Sequence, residues 1–399
     1  MAKKVFFSKD FFGLFLSLLT LCTIVLTRQA TPVVFLGWCF YLIYNSKESL
    51  SVLGQKYLHE LRSPIFLSLI VLGIYSVIST LWSNDPSMTL GESLGILGMM
   101  LSFPLIGVVA QLKSWPSRIV QNGMIIFLIS LVALAFQTLT DIKLRALFGM
   151  HVKTIKPNYE LLSIMIIPLI VPSILEKKFI SRAFMLLIYG LFFFIIDVKT
   201  SGIALLAFAF LWGISYSLKA PKFIAYCLMI VTTFYNFCLP FIFHFYHTAV
   251  QKDYFELPIT IRSFIHRLYI WEYSSSKIME KPWFGWGAGI TRNFIESESV
   301  SGNNLQLLPS HPHNYVLQLW LELGVVGISL FTLTQFLILR SIAHIKDTLA
   351  RSLYYAFYIF IMLILSSAHS LWHKWWIFWI ALCTGLFIKL IVSHNKNSH

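Results

Sequence analysis

Acidic residues are scarce: Asp and Glu number 17 in 399 residues, against 31 Lys and Arg, and charged residues of both signs make up only 12%. So low a charged fraction, beside 57% apolar residues and a mean hydropathy of +0.74, excludes an ordinary soluble domain. No DxD occurs, and the one ExE, Glu296 with Glu298, stands in a polar stretch without an apolar frame. Transfer chemistry that holds a divalent ion on carboxylates therefore lacks its usual ligands, and no cofactor is expected. The five cysteines, Cys22, Cys39, Cys227, Cys238 and Cys383, lie inside apolar runs without CxxC spacing, which argues against a disulfide framework or a cysteine metal centre. Strand-type alternation is lacking, so a β-barrel is not expected. The first apolar run, Phe11 to Thr27, follows Lys3, Lys4 and Lys9 but has no small-residue cleavage site, and it reads as a retained helix.

What the chain does have is long apolar runs. Segments near 10–27, 32–45, 64–82, 90–110, 119–139, 159–175, 180–197, 201–218, 221–246, 314–339, 349–370 and 373–393 predict an all-α integral membrane protein of about twelve transmembrane helices. Residues 1–246 hold the first nine and 314–399 the last three. Between them, 247–313 forms the one sizeable segment outside the membrane, with helical patterning from Ile261 to Glu280 and then the turn-rich "KPWFGWGAG". With both termini in the cytoplasm, 18 of the 31 basic residues fall in cytoplasmic segments and 7 in short outer loops, as the positive-inside rule requires. No nucleic-acid partner is expected; the basic balance is a topology signal or an attraction to an anionic ligand.

Some outer-face cations break that rule. "DIKLRALFGMHVKTIKPNYE" carries Lys143, Arg145, Lys153 and Lys156, Lys199 stands at the start of another span, and Arg267 lies in "RLYIW". Taken singly, these are headgroup contacts, snorkelling side chains or cation–π partners. Taken together, they suggest an outer pocket for a strongly anionic, lipid-borne group such as a pyrophosphate.

"SHPHNYVLQLWLELGVVG" puts His311, His313 and Asn314 before an apolar run. Offsets of four, seven, eleven and fourteen from His313 reach Leu317, Trp320, Gly324 and Gly327, which would share one helix face, with Pro312 at the helix start and the two glycines admitting another helix. His313 is then either a boundary histidine satisfied by hydrogen bonds or a base for a sugar hydroxyl, its pKa lowered by nearby cations. The HxH pair could also bind metal, but no acidic partner is evident in the sequence, and no metal site is expected.

"HNYVLQLWLELGVVG" resembles the HN-x9-G-x-x-G pattern of bacterial O-antigen ligases, with His313, Asn314, Gly324 and Gly327 in register. "RLYIWEYSSSKIMEKPWFGWGAG" is similar to the segment preceding it in the wider ligase and polymerase superfamily, through Arg267, Trp271, Pro282, Gly285, Gly287 and Gly289. "RALFGMHVKTIKPNYELLSIMIIPL" resembles a further loop through Arg145, Pro157 and Asn158. Where relatives carry a Ser-Arg pair, this chain has Lys199-Thr-Ser-Gly202.

The resemblance implies a GT-C-type glycosyltransferase of the bacterial inner membrane with a periplasmic active site. It would move a glycan from undecaprenyl pyrophosphate to lipid A-core oligosaccharide, without metal and with inversion. His313 would be catalytic, and Arg145, Arg267, Lys199 and Lys156 would hold the pyrophosphate. Asn314, Gly324, Gly327, Trp271, Gly285 and Gly287 would be motif or structural residues. The alternatives are an O-antigen polymerase, a protein O-oligosaccharyltransferase and, outside enzymes, a transporter of lipid-linked oligosaccharide. Against the last, no internal repeat is evident.

Overall fold

The computed structural model describes residues 9–112, 119–140, 156–175, 188–193, 195, 198–218, 221–245, 259–294, 297–300, 303–306, 308 and 310–397. The helices run α1 (Lys9–Val25), α2 (Thr31–Asn45), α3 (Leu50–Leu61), α4 (Pro64–Ile78, prolonged as a 3₁₀ turn to Trp82), α5 (Pro86–Ser102), α6 (Pro104–Ala110) and α7 (Ile119–Thr140). There follow α8 (Lys156–Leu175), α9 (Lys199–Leu218), α10 (Pro221–Phe245), α11 (Ile259–Glu280), α12 (Tyr315–Ala343), α13 (Thr348–Leu365) and α14 (Lys374–Asn397). A two-stranded hairpin, Ser297–Val300 antiparallel to Asn303–Gln306, occupies part of the stretch expected to be polar loop.

Among the described residues nine stretches are long and apolar enough to span a bilayer, which makes this a multi-pass membrane protein. Twelve were expected, and the shortfall has identifiable sources. The run in α1 covers only Gly13–Val25, α2 has 15 residues, and most of 180–197 lies outside the described residues. The segment 50–61, expected to be a connection, forms α3, with a serine N-cap at Ser49 accepting from Val52.

Helices in a bilayer gain little from mutual apolar burial, so polar contacts and close approach join them. α8 is the most enclosed, with 83% of its apolar window buried. It is tied to α9 by Ser163 and Ser201 (2.9 Å) and to α14 by the Trp379 indole on the Leu161 carbonyl (2.8 Å). α10 meets α12 through Asn236, whose amide donates to Gln335 Oε1 (2.5 Å) and accepts from the Tyr315 hydroxyl (2.7 Å). Pro240 in α10 has no N–H for the Asn236 carbonyl four residues back. That carbonyl instead receives the Trp320 indole at 2.8 Å.

α12 is not a continuous helix. At Gly324 the backbone turns to φ 63°, ψ −162°, and the turn after α11 docks into the break. Trp286 N donates to Leu321 O and Gly287 N to Glu322 O, both at 2.9 Å, while Val325 N donates to Pro282 O at 2.8 Å. Gly324 thus admits a loop, not another helix, and the register of one helix face does not run through the motif. Gly285, also at positive φ, and Gly324 each face the main chain just before the other. A Cβ on Gly285 would meet the main chain of Glu322 and Leu323, and one on Gly324 that of Trp283 and Phe284. Gly287 packs against Ser83, and Gly327 continues the helix.

Gly285→Ala and Gly324→Ala should each destabilise the protein by more than the roughly 1–2 kcal/mol that left-handed backbone alone costs an alanine, because a backbone clash is added. Thermal unfolding in detergent checks this; a variant melting with the wild type would contradict the docked break.

Candidate active site

Asn314 sets the entry to α12. Its Oδ1 accepts from Val316 N (2.9 Å) and Leu317 N (3.3 Å), and its amide donates to the Tyr235 hydroxyl (2.8 Å) and the Ser366 carbonyl (3.1 Å). All four donor and acceptor positions are used, so the cap also fixes α12 against α10 and the end of α13. The helix begins at Tyr315 with Asn314 as cap, so His313 lies outside it, with φ 54°. The expected stripe starting at His313 is therefore corrected: left-handed backbone turns its ring off the helix face. His313 Nδ1 faces the Ala368 carbonyl at 2.7 Å. A carbonyl only accepts, so Nδ1 carries the proton and Nε2 the lone pair.

Below the cap, Glu322 is fully buried on α12. Its Oε2 accepts from Gly289 N (2.7 Å) and Trp372 Nε1 (2.5 Å), and its Oε1 from Gln318 Nε2 (3.1 Å). The single proton of Thr291 is shared between Oε1 (3.2 Å) and the Ser310 carbonyl (3.0 Å). Gln318 in turn accepts from Leu371 N at 2.9 Å. The "GWGAG" turn, α12 and the loop between α13 and α14 are thereby joined under His313. Trp271 on α11 closes the other side, its indole donating to the Pro312 carbonyl at 3.0 Å.

The loop between α13 and α14 supplies two more histidines. His369 Nε2 pairs with Glu160 Oε2 on α8 at 2.6 Å. The His311 ring stands 4.2 Å from that of His313 and 5.1 Å from that of His373, centroid to centroid. Arg28, between α1 and α2, lies over Trp375 at 4.6 Å, and Arg292 pairs with Glu92 at 2.8 Å.

Burial is the first cause of the shifts here. It pushes His313 down to about 4, with the Ala368 hydrogen bond opposing and Arg267 adding to the fall. It pushes His311 to about 2 and His373 to about 4, with neighbouring histidines adding to each. Burial also lowers Arg267, against the pull of the Glu160 carboxylate. Near neutral pH the site therefore combines uncharged imidazoles with guanidinium groups.

Of the residues expected from sequence, Arg267 and His313 are brought together, with Trp271 and Asn314 around them. Lys156 and Lys199 are the exposed first residues of α8 and α9. Glu160 lies four residues after Lys156 in α8, and Thr200, next to Lys199, receives the Ser367 hydroxyl at 3.3 Å. Arg145, with Lys143 and Lys153, lies outside the described residues. Sequence reasoning missed His369, His373, Glu160 as a partner, Arg28 and Glu322. Glu160 reaches His369, not the HxH pair, from 209 residues away. The one available hint was polar "SSAHSLWH" between two apolar runs.

Residues 184–332 match the family described as O-antigen ligase. The chain carries an O-antigen ligase family domain. That domain holds Arg267, Trp271, His313, Asn314, Glu322 and Gly324, but not Glu160, His369 or His373. Over 131 residues, 31% of this chain, it is 32% identical to a protein of Rickettsia conorii named putative polysaccharide ligase. Proteins of the same name from Rickettsia typhi and Rickettsia felis are 34% identical over the same length. The match spans 32% of the length of each of these relatives. No solved structure matches the chain.

The buried histidines fix a stability profile. Each is neutral when folded and would titrate near 6.5 when unfolded, so the unfolded chain binds more protons between those values. Their contribution is fully present above about pH 6.5 and lost as pH falls through about 4. The melting temperature in detergent should drop across that window, less steeply in His373→Phe. A flat profile would contradict neutral burial.

Proposed function

We propose that this chain is a GT-C-type glycosyltransferase of the bacterial inner membrane, both termini cytoplasmic. It acts as an O-antigen ligase, moving a glycan from undecaprenyl pyrophosphate to lipid A-core oligosaccharide at the periplasmic face. The observation that carries the reading is His313: its Nδ1–H is committed to Ala368, its Nε2 lone pair is uncommitted to that bond, and the charge of Arg267 acts on it. A neutral imidazole held in one tautomer is a base rather than a cation.

In the reaction, His313 Nε2 takes the proton of the acceptor hydroxyl as its oxygen attacks the anomeric carbon. The bond from that carbon to the pyrophosphate oxygen breaks, and the electron pair leaves with the phosphate. Arg267, with Arg145, Lys199 and Lys156, neutralises the departing charge, the task a divalent ion performs in carboxylate-based enzymes. Single displacement inverts the anomeric centre, and the transfer step itself uses no metal.

His313→Ala should lower transfer by about 10²–10⁴-fold, and Arg267→Ala should lower it further than loss of donor affinity alone explains, while both proteins insert and purify normally. The assay is transfer between defined lipid-linked donor and lipid A-core in detergent. Wild-type turnover by His313→Ala would sink the base assignment. A polymerase would use the same donor with a lipid-linked acceptor. Deleting the gene should leave polymerised glycan on undecaprenyl pyrophosphate for a ligase, and single repeat units for a polymerase.

A further inference from the structure

Next to His313 is a second group of imidazoles that the proposed transfer does not use. One ring nitrogen from each of His311, His369 and His373 lies within 4.8 Å of the other two, and among the described residues this group has metal-ligand composition. His311 is 6% exposed, and its Nε2 has no hydrogen-bond partner; neither has the buried Nδ1 of His373. A buried nitrogen lone pair or N–H left unsatisfied is costly, and two in one cluster call for an occupant that serves both.

We propose that His311, His369 and His373 bind one zinc-class divalent ion that pins the segment before α12 to the loop between α13 and α14. Three imidazoles suit zinc, cobalt, nickel or copper over calcium or magnesium. Glu160 on His369 reproduces the carboxylate–histidine–metal arrangement in which the carboxylate orients the ring and raises its basicity. Burial holds His311 and His373 neutral, the form that ligates. With metal–nitrogen bonds of about 2.0–2.1 Å, tetrahedral ligands sit about 3.3–3.4 Å apart, so closure takes side-chain movements on the order of an ångström. Arg28, Arg267 and Arg292 oppose a bare dication, and they favour an anion over water at the fourth position. His313 is not a ligand, because its Nδ1 is bonded to Ala368. That carbonyl lies on the very loop the ion would fix, so the ion positions the base without entering the transfer.

The test needs no transfer assay, so its failure and that of the ligase reading are separable. The full chain, purified with a histidine-free tag and no chelator, should contain one zinc per molecule by elemental analysis. The chelated protein should regain melting temperature on adding zinc chloride, and cobalt should give the visible bands of a tetrahedral site. Glu160→Gln should weaken zinc binding about 10–100-fold, and His311→Phe or His373→Phe should abolish it. Absence of zinc above background with no thermal shift in the wild type would overturn the proposal. So would equal zinc uptake by wild type and His373→Phe, provided that variant purifies as a monodisperse protein.

Discussion

The architecture around the site depends on one carboxylate placed where carboxylates are expensive. Glu322 is fully enclosed, and the groups it holds come from three separate parts of the chain: Gly289 and Thr291, Gln318, and Trp372. It sits two residues before the helix break at Gly324. The break leaves backbone carbonyls without helical partners, and the "PWFGWGAG" turn supplies donors to them. The break and the carboxylate work as a pair: one binds the turn by its backbone, the other by side chain, and neither is satisfied without it. Because the same carboxylate reaches Trp372, the histidine-bearing loop is referred to the same frame as His313.

That frame explains how a chain with few acidic residues assembles a polar site in a bilayer protein. Its acids are spent on positioning: Glu322 as a hub, Glu160 on His369, Glu92 on Arg292. Around His313 the other titratable groups are imidazoles and guanidinium groups. Such a surface suits a substrate that brings its own negative charge.

How much of this was legible in the sequence follows from the range over which each signal acts. The spanning helices and the helix from 259 to 280 were readable because each depends on neighbours within a few residues. The short apolar runs of α1 and α2 blurred the span count, since hydropathy measures length and polarity but not what an element packs against. Gly324 was recognisable as part of a motif, yet it admits a loop and not another helix: a φ of 63° cannot be read from spacing. Glu160 and His369 meet across 209 residues, and no local pattern carries such a pairing. His313 was found, but its orientation was not, because a left-handed residue just outside a helix has no periodicity to follow.

Pro240 has a consequence for the order in which the bundle completes itself. The Asn236 carbonyl that it leaves open is met by Trp320 of α12, the next spanning helix among the described residues. In hydrocarbon an unmet carbonyl costs several kcal/mol, so α10 is an incomplete span until α12 arrives. α10 and α12 are thus committed to each other by a missing N–H.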